Sequence, residues 1–226
     1  RPVVLVAEHQ TGARGRMGRA WSCTSSTPED GRALMFSLGL PLQPAAWEGL
    51  SLAVGVAVAE ALDPTRRDRL GLKWPNDIWV DGRKLCGILV ETAVAGAAQE
   101  RFAVIGIGIN VGPVADTGFR TPAAWLRQRR PEASAPDVLT EVLPALLHGL
   151  DIFCRSGYAA FHTRFNARDV LRGRDVVLSD GRSGRCLGAG PQGQLLLRTD
   201  KGMEEISGGE VSVRPSAIPA APRGAC

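Results

Sequence analysis

No two of the chain's five cysteines stand at C-x-x-C spacing: Cys23, Cys86, Cys154, Cys186 and Cys226 are widely separated and odd in number. That argues against a disulfide framework and against a structural zinc site, and for a reducing cytoplasm. Long hydrophobic runs are lacking as well. The best of them, residues 50–62, is interrupted by Glu60 and is too short for a membrane span, so no membrane partner is expected. Charge of one sign is scarce: a net +4 permits attraction to acidic partners without implying nucleic acid. His148 and His162 have no acidic or cysteine companions at ligand spacing and read as ordinary packed or surface histidines. There is no internal repeat and no initiating methionine. Arg1-Pro2 leads straight into an apolar run, as in a gene product clipped at its start, where a secretory signal is not legible.

What is present is a core. Hydrophobic residues make up 44% of 226 positions, enough for one sizeable domain and a small one. Residues 3–7 read as a buried strand and residues 33–40 as a second. Between them, residues 8–21 show no apolar period and form a loop. Its three glycines let the backbone approach a ligand, and Arg14, Arg16 and Arg19 fall within six positions. Guanidinium forks suit carboxylate and phosphate. An RGG-like RNA-binding loop is the competing reading, although repeats and interleaved aromatics are missing. Residues 45–62 carry Trp47, Leu50, Val54, Ala57, Val58 and Ala61 at helical spacing, with Pro44 near the start and Asp63-Pro64 at the end.

The densest chemistry lies in residues 73–92. Leu70-Gly71-Leu72 leads in as a third strand, and Pro75 biases Trp74 toward an extended conformation, so Lys73 and Trp74 close that strand. Ile78-Trp79-Val80 and residues 85–90 are short apolar runs, with Asp81-Gly82 between them as a hairpin signal. Lys73, Asn76, Asp77 and Lys84 therefore sit at strand ends, where two cations and a carboxylate can hold an anion and its metal. A hairpin with solvated charges is the alternative. Residues 101–111 form another strand. Its Gly106-x-Gly108 followed by Gly112 is not a dinucleotide fingerprint, because no helix pattern opens behind it. Glycines inside a strand mark close approach by a chain or a ligand. Asn110 at its end can read a base edge or cap the strand.

Ser134-x-x-Asp137 resembles a capping box for a helix running to about residue 165, which Pro144 can kink and Gly157 can break. Past Asn166 come five short strands (residues 176–178, 184–187, 195–197, 204–206 and 211–213) separated by turn residues, a pattern of a small β-barrel or half-barrel. Residues 216–226 are a proline- and alanine-rich tail. The domain reading is 1–166, 167–215 and a flexible 216–226.

Four segments in this order resemble the motifs of biotin protein ligases, also called biotin–[acetyl-CoA-carboxylase] ligases. They are Gln10-Thr11-Gly12-Ala13-Arg14-Gly15-Arg16-Met17-Gly18-Arg19-Ala20-Trp21, Lys73-Trp74-Pro75-Asn76-Asp77, residues 83–91, and Gly106-Ile107-Gly108-Ile109-Asn110. The resemblance implies an α/β (α+β) fold of the class II aminoacyl-tRNA synthetase type. That fold is a mixed, largely antiparallel sheet with helices packed on it, plus a small SH3-like β-barrel. It implies that ATP, with Mg2+, activates biotin to biotinyl-5′-adenylate. Biotin then passes to a lysine of a biotin carboxyl carrier protein. Carried over by position, Gln10, Arg14, Gly15, Arg16, Lys73, Gly87 and Ile88 are expected around biotin. Arg16, Trp21, Asn76, Asp77, Lys84 and Asn110 are expected around ATP or the adenylate, with Lys73 and Arg16 catalytic and Asp77 on the metal. Ala13 and Met17 stand where the family usually has Gly and Arg. The family's Ser-Thr-containing segment, which contacts biotin's ureido ring, would precede the first strand and is not in this sequence. No helix-turn-helix precedes that strand either, so a ligase without a DNA partner is expected. A homodimer through sheet edges is the family analogy. A lipoate or octanoate ligase or transferase, a non-catalytic biotin-binding module and a nucleic-acid-binding protein are the competing readings.

Overall fold

Alternating apolar residues give the chain two sheets, and one long apolar helix with its neighbours fills the space behind the first. The computed structural model describes residues 1–12, 14, 15, 18, 33–95, 100–114, 122–207 and 214–215. The first sheet has six strands in the order β1 (Val3–Ala7), β2 (Ala33–Pro41), β6 (Glu100–Asn110), β5 (Arg83–Ala95), β4 (Asp77–Val80) and β3 (Gly71–Lys73). Every one of these pairings is antiparallel. The parallel share of the expected mixed sheet is confined, among the described residues, to the isolated bridges Leu72–Asp169 and Lys84–Ala123. Asp81 and Gly82 both have positive φ, 49° and 73°. That is the backbone a two-residue hairpin needs to follow the twist of its strands, and it explains the β4–β5 turn.

Period-two alternation assigns the faces. Leu34, Phe36, Leu38 and Leu40 of β2 are buried with Ala103, Ile105, Ile107 and Ile109 of β6. Their neighbours Ser37, Gly39, Gly106 and Gly108 point the other way. The apolar face is covered by α1 (Leu50–Leu62), which lies against β3, β4 and β5, and by α2 (Ala135–Ser156), which lies against β2. The periodic pattern predicts a helix from residue 45, but α1 begins at Leu50. Gly49 is left-handed at φ 77°, and an α-helix cannot be continued back through that conformation. The capping pattern holds: Ser134 Oγ accepts the Asp137 N–H at 3.3 Å. α2 accommodates Pro144 and stops at Gly157, so the stretch expected to run to residue 165 is two helices, the second being α3 (Ala159–Arg168).

One expectation is overturned. Residues 3–7 read as a buried strand, yet Val3, Leu5 and Val6 are 59%, 67% and 48% exposed. β1 is the outer strand of the sheet, and the helices pack on β2 to β5 instead. Hydrophobic alternation records that a strand can be covered, not that anything covers it.

The second sheet is antiparallel, ordered β10 (Gly202–Ile206), β9 (Leu195–Thr199), β8 (Ser183–Ala189), β7 (Asp175–Val177) and β11 (Arg214–Pro215). Four of the five expected strands are thus in place. Residues 211–213 and the tail 216–226 lie outside the described residues. Leu178, Cys186, Leu195, Leu197 and Ile206 of this region belong to the same apolar cluster as the first sheet and the helices. Polar joints add direction. The buried Arg168 donates to Asp63 O at 2.7 Å and Leu70 O at 3.2 Å, while the Asp63 carboxylate accepts the N–H groups of Asp68 and Leu70. The end of α1, the start of β3 and the end of α3 are fixed together in this way. Trp74 Nε1–H donates to Gly193 O, in the β8–β9 turn, at 2.9 Å.

Candidate functional site

Residues paired across an antiparallel ladder share a face. Reading the register outward from β3, Lys73 pairs with Asp77, Asp77 with Gly87, Gly87 with Gly108, Gly108 with Met35, and Met35 with Ala7. One row across the sheet, on the face away from the helices, therefore carries a cation, a carboxylate and two adjacent glycines. The neighbouring row adds Ser37 and Gly106, and Gly39 lies next to it along β2. A Cβ at Gly106 would meet nothing closer than 3.8 Å. Packing within the described residues does not require a glycine there, so the lack of a side chain leaves open floor. Small residues at the centre of a sheet with charged groups at one end make a shallow polar-ended site suited to a flat ligand with an acidic tail.

Lys84 reaches this face through an irregularity. The β4–β5 register shifts between Ile78 and Trp79, so that Trp79 pairs with Lys84 and Leu85 is passed over. Regular alternation from Gly87 would turn Lys84 toward the helices, and the bulge turns it back. Its Nζ then lies 2.6 Å from Asp77 Oδ1, with both side chains partly exposed. Backbone pairing of Lys84 N with Pro122 O and of Ala124 N with Lys84 O ties a further segment to this end of the sheet.

Lys73 is 7% exposed, and its Nζ stands 5.0 Å from the ring centroid of Trp79. Trp79 is on the same face of β4 as Asp77, and the residue paired with it is Gly71. A side chain at Gly71 would put Cβ 2.1 Å from Val170 Cγ1. With no side chain opposite, the indole takes the diagonal neighbour, Lys73, as its partner. The indole N–H is buried and has no acceptor among the described residues. Leaving such a donor unpaired costs about 1–3 kcal/mol, the same scale as the attraction of a desolvated ammonium to an indole face, about 2 kcal/mol.

The two asparagines are partly committed. Asn76 Nδ2 donates to Ile88 O at 2.6 Å, and Ile88 N–H donates to Asn76 O at 3.0 Å, so Asn76 clamps the Lys73–Asp77 turn onto β5. Asn110 Nδ2 donates to Ala124 O at 2.9 Å and Lys84 O at 3.3 Å. What each can offer a nucleotide is its Oδ1. Ile88 turns its side chain into the core, 2% exposed, while Gly87 beside it forms part of the floor. Cys86, on the core face, is no nucleophile: burial pushes its thiol well above the ordinary range.

Gln10 and Arg14 are exposed and Gly15 is half-buried. They follow β1, whose last residue Ala7 is on the Lys73 row, and the chain re-enters the sheet at Ala33, opposite Asn110. Arg16 and Trp21 lie outside the described residues, as do Ala13, Met17 and Arg19. The structure therefore brings Lys73, Asp77, Lys84, Gly87 and Asn110 to one region of one face. Trp79 escaped the sequence reading because it sits in an apolar run. Its position two residues beyond Asp77 on a strand was the available signal.

Among the described residues no group of three or more His, Cys, Asp or Glu side chains could hold a metal, so Asp77 is not part of an all-protein cage there. Magnesium bound through one carboxylate and substrate phosphates fits such a site; an all-protein metal cage does not.

Residues 1–110 match the family described as Biotin/lipoate A/B protein ligase family. The chain is 34% identical over 221 residues to the bifunctional ligase/repressor BirA of Escherichia coli, covering 92% of this chain and 65% of that protein. It is 28% identical over 223 residues to the biotin–[acetyl-CoA-carboxylase] ligase of Paracoccus denitrificans, covering 92% and 88%. The structure superposes on the biotin protein ligase of Aquifex aeolicus in complex with biotin and ATP with a TM-score of 0.78. That match has 29% identity and covers 94% of this chain and 89% of that one. The chain thus spans about two thirds of the length of BirA, and nearly all of the shorter ligases. With four sequence motifs, the sheet that carries three of them on one face and these relatives in agreement, the chain belongs to the biotin protein ligase family.

Proposed function

We propose that the chain joins biotin to ATP and passes the biotinyl group to a lysine of a biotin carboxyl carrier protein. The observation that carries this reading is the single row Lys73–Asp77–Gly87–Gly108, with Lys84 folded onto the same face. In the first step a carboxylate oxygen of biotin bonds to the α-phosphorus of ATP and pyrophosphate leaves, giving biotinyl-5′-adenylate. In the second, the lysine amine attacks the acyl carbon, AMP departs with the bonding electrons, and the amine's proton is lost. Two anions must be held together in the first step while charge gathers on the phosphoryl oxygens, and a fixed ammonium in a water-poor site is suited to that task. Lys73 is the buried cation of the site among the described residues and is assigned to the carboxylate and the α-phosphate. Arg16 is assigned beside it from the arginine loop.

Gln10, Arg14 and Gly15 are assigned to biotin, with Gly87 and Ile88 beneath it. Trp21, Asn76, Lys84 and Asn110 are assigned to the nucleotide, the asparagines through Oδ1. Asp77 would hold magnesium together with the phosphates, where the ion, when bound, offsets phosphate charge. Residues 167–215 are taken as an SH3-like domain following a catalytic domain of residues 1–166, supported by the five antiparallel strands there. The free thiols of Cys86, Cys154 and Cys186 suit a cytoplasmic setting, and the exposed edge strand β1 suits a homodimer.

Lipoate is the competing substrate, since the family description covers both acids. Titration with each acid separates them. The deciding experiment is ATP–pyrophosphate exchange with and without biotin. The native chain is expected to exchange only with biotin present, and Lys73→Ala to lose about 10²–10³-fold while remaining folded. Near-normal exchange by Lys73→Ala would remove Lys73 from this role.

A further inference from the structure

We propose that Trp79 is a positioning residue for Lys73: its indole face holds the Lys73 ammonium at the point where negative charge builds up in adenylate formation. The inference rests on the reading of Lys73 as the catalytic cation. Its own support is separate. Nζ of Lys73 lies 5.0 Å from the Trp79 ring centroid, and both residues are more than nine-tenths buried. The register makes them diagonal neighbours on one face, and Gly71, the residue opposite Trp79, has no side chain to come between them. The indole N–H is buried without an acceptor among the described residues. If space-filling alone were at stake, a phenylalanine or leucine would fill this position without leaving a donor unpaired. What tryptophan adds over either is the most electron-rich ring face available to a cation.

A lysine has four rotatable side-chain bonds and a strongly hydrated head, so burying it does not by itself fix where its charge stands. An aromatic face supplies a preferred position without accepting a proton or competing with the substrate's carboxylate as an acceptor for the ammonium's N–H groups. Fixing the cation before the reaction is what makes an electrostatic contribution count in the transition state more than in the ground state. Trp79 therefore acts on the chemical step more than on substrate binding.

The test replaces Trp79 alone with mono-, di- and trifluorinated tryptophan, which withdraw charge from the ring face while keeping its shape, and compares Trp79→Phe and Trp79→Leu. Biotin-dependent pyrophosphate exchange is measured with Tm, KM for both substrates and kcat. The expected result is a stepwise fall in kcat with each fluorine, roughly tenfold across the series. KM and Tm should stay nearly constant, and Trp79→Phe should retain more activity than Trp79→Leu. If Lys73→Ala abolishes exchange but the fluorinated chains keep the native kcat, the positioning role is overturned and the reading of Lys73 survives. If Lys73→Ala exchanges normally, that reading fails and the role of Trp79 falls with it.

Discussion

Replacing Asp169 with asparagine should stabilise the protein near neutral pH and lose that effect in acid. Asp169 caps α3 and lies in the isolated bridge with Leu72, the residue before Lys73. Its Oδ1 accepts the Leu171 N–H at 2.8 Å, but Oδ2 is buried with no hydrogen-bond partner among the described residues. Burial pushes this carboxyl up to about 6, and the N–H groups of Leu171 and Arg172 and the Arg172 charge pull it down without restoring the ordinary value. An unfolded aspartate titrates near 3.9. Between these two values the native chain keeps a proton that the unfolded chain has released, so stability falls as pH rises through that window and levels off above it. At about 1.4 kcal/mol per pH unit, the loss across the window approaches 3 kcal/mol. Asparagine keeps the acceptor for Leu171 and carries no charge. Any cost of its extra amide is the same at every pH and cancels in the comparison. Urea unfolding of the native and Asp169→Asn chains at pH 4 and pH 7.5, followed by tryptophan fluorescence, should show the variant gaining about 2–3 kcal/mol relative to the native chain between the two. An equal difference at both pH values would refute the reasoning.

Two further outcomes follow from the geometry around the site. Gly193→Ala should cost about 2–3 kcal/mol in the same unfolding assay, because φ is 87° there and the new methyl would lie 2.8 Å from Gly49 Cα. Asn110→Ala should lose about 1–3 kcal/mol by orphaning the Ala124 carbonyl, and Asn110→Asp should lose more, since it turns a carboxylate oxygen toward two carbonyls. An aspartate variant as stable as the alanine one would show that Nδ2 does not make these bonds.

Much of this protein could be read from its letters. Asp81-Gly82 between apolar runs determines a hairpin, because few residues accept positive φ twice in succession, and Ser134 with Asp137 determines where α2 starts. The period-two pattern of β2 and β6 sorts core residues from the glycines, and the charged residues at the strand ends mark where an anion can be held. Such features are local, set by backbone sterics and by side chains a few positions apart.

What only the tertiary structure decided depends on partners distant in sequence. Alternation alone turns Lys84 toward the helices, and the bulge opposite Trp79 brings it to Asp77. Apolar composition predicts a buried β1, but burial needs a covering layer, and the helices lie elsewhere. Asn76 and Asn110 look like free amides until the strands and loops that take their hydrogen bonds are in place. Trp79 reads as one more core aromatic until the register sets it diagonal to Lys73. Sequence fixes which groups are available, and strand pairing fixes which of them meet, because a shift of one residue reverses every face.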